Sequence, residues 1–101
     1  MILMTGERFD AREAERIGLV NKVVPVDQLD ATVAKLAATM AGNAPLSLIA
    51  NKLTVRTVLR DPEERNMEAI RAAYTACFDS ADYREGRRAF MEKRKPVFTG
   101  R

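Results

Sequence analysis

Apolar residues recur along this chain mainly at helical spacing, and capping residues, glycine and proline separate the resulting segments. Positions four, three and four apart lie on one face of a helix. Three segments follow such a pattern and predict one helical face each. Their residues are Leu29, Val33, Leu36 and Met40; then Leu46, Ile49, Leu53 and Val58; then Met67, Ile70, Tyr74 and Cys77. The pattern therefore predicts a mainly α-helical chain.

The polar residues between these segments predict where helices begin and end. Asp10 followed by Glu13 is a capping box, and Gly18 suits the position just beyond a helix that ends at Ile17. Pro45 is expected near the start of the third helix, where proline is tolerated. The second helix is expected to start at Asp27 or Asp30 and to end at Gly42-Asn43.

Two further helix starts are predicted toward the C-terminus. The run Asp61-Pro62-Glu63-Glu64 combines a cap, a proline at the first position and a glutamate in the first turn. Ser80 or Asp79 is expected to cap the last helix, and Pro96 to break it near 94–95. The carboxylate pairs Glu63–Glu64 and Asp79–Asp82 are therefore interpreted as capping groups rather than as an acid/base site.

The first 25 residues are less regular. The β-branched segment Leu19 to Val24 predicts one short extended piece. The opening "MILMTG" is apolar and ends in Gly6, and two interpretations fit it: an ordinary frayed N-terminus, or the last turn of a helix that starts upstream.

Composition excludes several classes of function. The chain has 101 residues, 47% of them apolar, with a formal net charge of +3, one cysteine and no histidine. An internal disulfide, histidine-based catalysis and an imidazole metal site are therefore impossible. Cys77 is interpreted as a structural thiol, and a reducing, cytoplasmic location is expected. No apolar run approaches the ~20 residues needed to span a bilayer.

The last helix carries the most charge. Residues 84–101 contain seven Lys or Arg and only two acids, Glu85 and Glu92, with Phe90 and Phe98 among them. One interpretation is a solvated helix face whose cations suit the helix dipole. The other is a site for a phosphate-bearing ligand beside an aromatic ring. Nucleic acid and membrane binding are disfavoured, because the basic cluster and the apolar face are both small.

Three segments of the chain, taken together, resemble a known family. They are "LMTGERFDAREAERIGLVNKVVP", "APLSLIANKLTV" and "EGRRAFMEKRKPVFTGR", and they resemble, in order, the C-terminal part of the enoyl-CoA hydratase/isomerase (crotonase) family. The resemblance implies that residues 1–25 are the tail end of the crotonase core and residues 26–101 a helical, trimerising region. It also implies that the N-terminal spiral of ββα units, which holds the active site in that family, is absent here.

The resemblance carries expectations about function. The parent enzyme would add water reversibly to a trans-2-enoyl-CoA through an enolate-like intermediate, with the coenzyme A thioester as substrate and no tightly bound cofactor or metal. By match to the family motif, Phe90 would contact the apolar part of the ligand and Lys93 its phosphate-bearing end. Arg94 and Lys95 would add positive field. No catalytic residue is expected in this segment, and Phe90 as plain interface core stays open.

Partners and alternatives follow from the same resemblance. A homo-oligomer, a trimer or a dimer of trimers, would cover the apolar faces of the two helices in 46–59 and 67–78. The segment by itself is expected to be inactive. The alternative is a stand-alone helical oligomerisation module without catalysis. Reaction type within the family and acyl-chain preference cannot be read from these residues.

Overall fold

The structure, a computed structural model, describes residues 2–101 and is helical throughout its regular parts. The helices are α1 (Ile2–Thr5), α2 (Ala11–Arg16), α3 (Leu29–Ala41), α4 (Pro45–Val58), α5 (Met67–Asp79) and α6 (Ala81–Met91), and 3-10 turns form at Val26–Gln28 and Pro62–Glu64. No strand forms among residues 2–101, so the predicted mainly α class is confirmed. The chain divides into two compact units, one ending at Leu36 and the other running from Ala37 to Arg101.

Helix α2 in the first unit begins and ends as its sequence predicts. The Asp10 carboxylate accepts a 2.8 Å hydrogen bond from the Glu13 N–H. Gly18 adopts φ +76°, and the Leu19 N–H reaches back 2.9 Å to the Ala14 carbonyl. This closure satisfies the last carbonyls of the helix and needs a left-handed residue, which glycine supplies without steric cost.

After α2, residues 19–21 form bends and residues 22–24 have no regular secondary structure. The N–H groups of Leu19 and Val20 both point to the Ala14 carbonyl, at 2.9 and 3.3 Å. The Val23 N–H donates instead to the Glu15 carboxylate, at 3.2 Å. Because these amides are occupied by α2, the segment 19–24 does not pair as a strand.

In the second unit α4 packs against α5, but not through all the predicted residues. Leu46, Ala50, Leu53 and Thr57 are buried or half-buried, and they lie at intervals of four, three and four. Ile49 and Val58 were predicted to face inward, and both are exposed. The prediction chose bulky residues, whereas the buried position one residue beyond Ile49 is Ala50, at 0% exposure. Small side chains at a helix contact allow close approach of the backbones.

The predicted helix start at 61–64 is wrong. Those residues form a 3-10 turn, and α5 begins at Met67 with Asn66 as its cap, accepting a 2.9 Å bond from the Ala69 N–H. Arg65 interrupts the helix with an extended backbone, and its guanidinium donates to the carbonyls of Arg60 and Val58, at 3.0 and 3.1 Å. The Arg65 side chain thus satisfies carbonyls at the end of α4.

Ser80 joins α5 to α6 and confirms one of the two predicted caps. Its hydroxyl accepts from the Tyr83 N–H at 2.9 Å and donates to the Cys77 carbonyl at 2.6 Å. One side chain therefore satisfies a group from each helix. The rings of Phe78 and Tyr83 meet edge to face beside this junction, with centroids 5.2 Å apart.

Candidate ligand pocket beside helix α6

A mainly apolar cavity of about 390 Å³ lies between α6, the start of α4 and the C-terminal tail. The C-terminal tail comprises residues 94–101. The lining residues are Ala44, Ser47, Tyr83, Gly86, Arg87, Phe90, Met91 and Phe98. The Phe98 ring lies close to the backbone of α6, because a Cβ built on Gly86 would be 3.6 Å from Phe98 Cε1. The tail therefore supplies one aromatic wall of the cavity.

The tail is held to α6 first by a buried carboxylate. Asp82 is 2% exposed, and it accepts hydrogen bonds from the N–H groups of Thr99 and Gly100, at 2.7 and 2.8 Å. The Thr99 hydroxyl adds a longer bond of 3.3 Å. In return the Asp82 N–H donates to the Arg101 carbonyl at 3.1 Å. Asp82 lies in the first turn of α6, as expected for an acid near a helix N-terminus, but Ser80 is the cap and the Asp82 side chain binds the tail.

A second carboxylate holds the start of the tail. Glu85 receives two bonds from the Arg94 guanidinium, at 2.6 and 3.0 Å, and one from the Val97 N–H, at 3.0 Å. The Arg94 hydrogen bonds, followed by the Val97 N–H, lower the pKa of Glu85 to about 2. Glu85, and then Glu92, raise the pKa of Arg94 above its ordinary value.

Arg94 therefore does not act as a free cation. It pairs with Glu92 at 2.6 Å as well as with Glu85, so its charge is neutralised by two carboxylates. The expectation that Arg94 adds positive field for a ligand does not fit this geometry. Sequence spacing missed the Glu85 pair because the partners are nine positions apart and meet only where the chain turns back.

That turn is made by Lys93 rather than by Pro96. The Lys93 N–H donates to Phe90 O at 3.2 Å and the Arg94 N–H to Ala89 O at 3.0 Å, which is the same closure seen at Gly18. Lys93 has φ +53°, a left-handed conformation that is uncommon for a residue with a side chain. Helix α6 consequently ends at Met91, three residues before the predicted break.

The two predicted site residues lie on the same end of α6 but not in the same place. Phe90 lines the cavity and is 82% exposed, so it is available to a ligand. Lys93 is exposed just beyond the helix and is not among the lining residues. The basic residue that does line the cavity is Arg87, which the sequence analysis did not single out. Arg87 precedes Phe90 by three positions, and this helical spacing was the available signal.

A second concavity, of about 440 Å³, shares Tyr83, Arg87 and Met91 with the first. It is lined by Phe78, Tyr83, Arg84, Arg87, Arg88 and Met91. The three arginines make this side of α6 basic. Together the two concavities place apolar surface and positive charge on one helix, as a phosphate-bearing ligand with an apolar part requires.

Metal centres and membrane spans are two other kinds of site to consider within residues 2–101. No cluster of three or more Cys, Asp or Glu in this range could hold a metal ion. No single helix in the same range is long and apolar enough to cross a bilayer; one bent pair of successive helices passes by length and composition alone, which is weak support for a span.

Comparison with known proteins connects this geometry to a family. The sequence model of the enoyl-CoA hydratase/isomerase family matches residues 1–101. A carnitinyl-CoA dehydratase of Citrobacter koseri is 40% identical over 99% of the chain and 40% of its own length. The corresponding protein of Salmonella typhi is 38% identical with the same coverage.

Solved structures agree with the sequence comparison. An enoyl-CoA hydratase/carnithine racemase from Magnetospirillum magneticum superimposes with a TM-score of 0.85 at 42% identity, over 99% of this chain and 37% of that one. An enoyl-CoA hydratase from Bacillus anthracis gives a TM-score of 0.83 at 31% identity, over 97% and 38%. The chain thus spans about 40% of the length of these relatives. On the family match over its whole length, the chain belongs to the enoyl-CoA hydratase/isomerase family.

Proposed function

We propose that this chain forms the C-terminal helical part of an enzyme that acts on a coenzyme A thioester, and that α6 supplies part of the coenzyme A site. The observation that carries the proposal is the apolar cavity beside a basic helix, in a chain whose full length matches the enoyl-CoA hydratase/isomerase family. Phe90 lies at the cavity and presents apolar surface to the ligand. Lys93 lies one turn further on and meets the phosphate-bearing end.

The proposed reaction is reversible hydration of a trans-2-enoyl-CoA through an enolate-like intermediate. Such an intermediate needs preorganised N–H donors around the thioester oxygen. Residues 2–101 contribute ligand contacts rather than that chemistry, so we expect no turnover of crotonyl-CoA by this chain alone. A second candidate is dehydration of a carnitinyl-CoA, favoured by the 40% identity to a carnitinyl-CoA dehydratase.

Assembly forms part of the same proposal. Several large apolar side chains on α3, α4 and α5 are exposed, among them Val33, Ile49, Val55, Val58 and Phe78. Exposed apolar surface of this extent is typical of an interface between chains. We propose a homo-oligomer, a trimer or a dimer of trimers, and sedimentation equilibrium of the purified chain measures it directly.

The ligand proposal is tested by titrating coenzyme A into the isotopically labelled chain and following backbone resonances. We expect saturable shifts centred on Phe90 and Lys93, and loss of affinity in Phe90→Ala. Leu59→Ala is the matched control, since Leu59 is equally exposed at 81% but lies outside the cavity. Unchanged spectra at millimolar coenzyme A would contradict the proposal and favour a non-catalytic helical oligomerisation module.

A further inference from the structure

We infer that Asp82 is a positioning residue for the proposed coenzyme A site, because it holds the C-terminal tail in the place where Phe98 forms the cavity wall. The inference rests on the proposed function, since it concerns how the same cavity is built. The inferred role makes Asp82 part of this site, although Asp82 does not line the cavity. From the sequence, Phe98 was only one of two aromatic residues near the basic cluster, and Asp82 was interpreted as a capping group.

The Asp82 carboxylate binds the tail directly. A carboxylate that is 2% exposed must have its acceptor capacity satisfied, and here the N–H groups of Thr99 and Gly100 each bond one of its two oxygens. Hydrogen bonds to an ionised acceptor are stronger than neutral ones. The Asp82 N–H binds the Arg101 carbonyl in addition. These contacts fix the last three residues of the tail against the first turn of α6.

The docked tail in turn shapes the cavity. Phe98 directly precedes Thr99, so fixing the Thr99 N–H fixes the backbone that carries the Phe98 ring. That ring faces Gly86 on α6, where only hydrogen stands between it and the helix backbone. Gly100, on the other side of Thr99, approaches Pro45 at the start of α4, with a built Cβ 3.6 Å from the Pro45 side chain. The tail therefore bridges α6 and α4, the two elements between which the cavity opens.

Asp82 and Glu85 bind different parts of the tail. Glu85 is partly exposed and its main partner, Arg94, also pairs with Glu92. It fixes the start of the tail, residues 94–97, and leaves the Phe98 ring to the contacts that follow. Asp82 is the buried anchor on the far side of Phe98. The two carboxylates thus bind the chain on either side of Phe98: Glu85 accepts from the Val97 N–H and Asp82 from the Thr99 N–H.

The expected effect follows from the fraction of molecules with a docked tail. A ligand that needs the docked state binds with an apparent Kd equal to its intrinsic Kd divided by that fraction. Asp82→Asn keeps the shape of the side chain but replaces one acceptor oxygen with an NH₂ group facing an N–H. If this leaves the tail docked in about a tenth of the molecules, the apparent Kd rises about tenfold.

The experiment measures docking and binding separately in the full chain. Amide hydrogen exchange at Thr99 and Gly100 reports docking, and coenzyme A titration reports affinity. Asp82→Asn is expected to speed exchange at both amides and to raise the Kd about tenfold. Thr99→Ala is the matched control: it removes only the 3.3 Å hydroxyl bond and keeps the N–H donor, so the Kd should stay within about twofold.

A second pair of variants covers the case in which Asp82→Asn does not fold. Phe98→Ala removes the wall itself and should also raise the Kd about tenfold, whereas Val97→Ala shortens an exposed side chain of the same tail and should leave it unchanged. The inference is overturned if Asp82→Asn leaves exchange unaltered, or speeds exchange without changing the Kd, or if Phe98→Ala binds as Val97→Ala does. If the unmodified chain does not bind coenzyme A, the proposed function fails, and this inference fails with it.

Discussion

Replacing Gly86 with alanine should stabilise this protein, although Gly86 lies in a packed part of α6. Glycine in a helix interior is about 1 kcal/mol less favourable than alanine, because it loses more backbone freedom on folding. The gain is kept only if the new methyl group fits. A Cβ on Gly86 would lie 3.6 and 3.8 Å from Phe98 ring atoms, which is ordinary van der Waals contact. We therefore expect the free energy of unfolding to rise by about 1 kcal/mol.

The same substitution at Gly18 provides the control, with the opposite sign. Nothing lies within 4 Å of a Cβ built on Gly18, so packing plays no part there. Its φ of +76° is left-handed, which costs a residue with a side chain about 1 kcal/mol relative to glycine. Gly18→Ala should therefore lower the free energy of unfolding by about 1 kcal/mol.

Urea unfolding followed by circular dichroism measures both changes, and thermal melting gives an independent value. For a chain of this size, 1 kcal/mol corresponds to about 4–8 °C in Tm. An unchanged m-value would show that the compactness of the two end states is preserved. A lower unfolding midpoint for Gly86→Ala would refute the reasoning, since it would mean that the Phe98 ring cannot accommodate a methyl group.

Two further predictions concern the ends of helices, and a third concerns Glu85, which binds the tail. In Lys93→Gly, relief of the left-handed φ of +53° should raise the free energy of unfolding by about 1 kcal/mol in urea titration; a loss would show that the Lys93 side chain makes a stabilising contact. In Arg65→Ala, loss of the two carbonyl bonds at the end of α4 should cost about 1 kcal/mol, whereas Arg71→Ala should change stability by less than about 0.5 kcal/mol. Because the pKa of Glu85 falls from 4.5 to about 2 on folding, its stabilising contribution is complete above pH 4.5 and is lost as the pH falls toward 2. Glu85→Gln should therefore flatten the dependence of Tm on pH between 4.5 and 2.5. An unchanged slope in that range would show that Glu85 does not contribute to the loss of stability in acid.

Local signals in the sequence were sufficient for several elements. Asp10 with Glu13, Gly18, Pro45 and Ser80 each act within one helical turn of their own position. The hydrogen bonds at Asp10, Gly18 and Ser80 close over three to five residues, so nothing distant can alter the choice. The helical class and the family resemblance were accessible for the same reason, since both rest on contiguous segments.

Tertiary contacts decided where α5 starts and which face of α4 is buried. The sequence favours a helix start at 61–64, yet the Arg65 side chain turns back to the end of α4 and moves the start to Met67. The spacing of apolar residues in α4 fits more than one face, and packing against α5 selects the face that includes Ala50 rather than Ile49.

The amino-acid sequence alone predicts that the chain is helical and where most of its helices begin. It also shows that the chain resembles the C-terminal part of the enoyl-CoA hydratase/isomerase family. Phe90 was predicted as a ligand contact from its match to the family motif, and in the structure it lines a cavity. Only the tertiary structure showed that Asp82 and Glu85 bind the tail and that Phe98 completes the cavity wall. These contacts join residues that are far apart along the chain: Asp82 bonds residues 17 and 18 positions away. Helical periodicity and capping signals act over a few residues only, so they cannot predict contacts at that sequence separation.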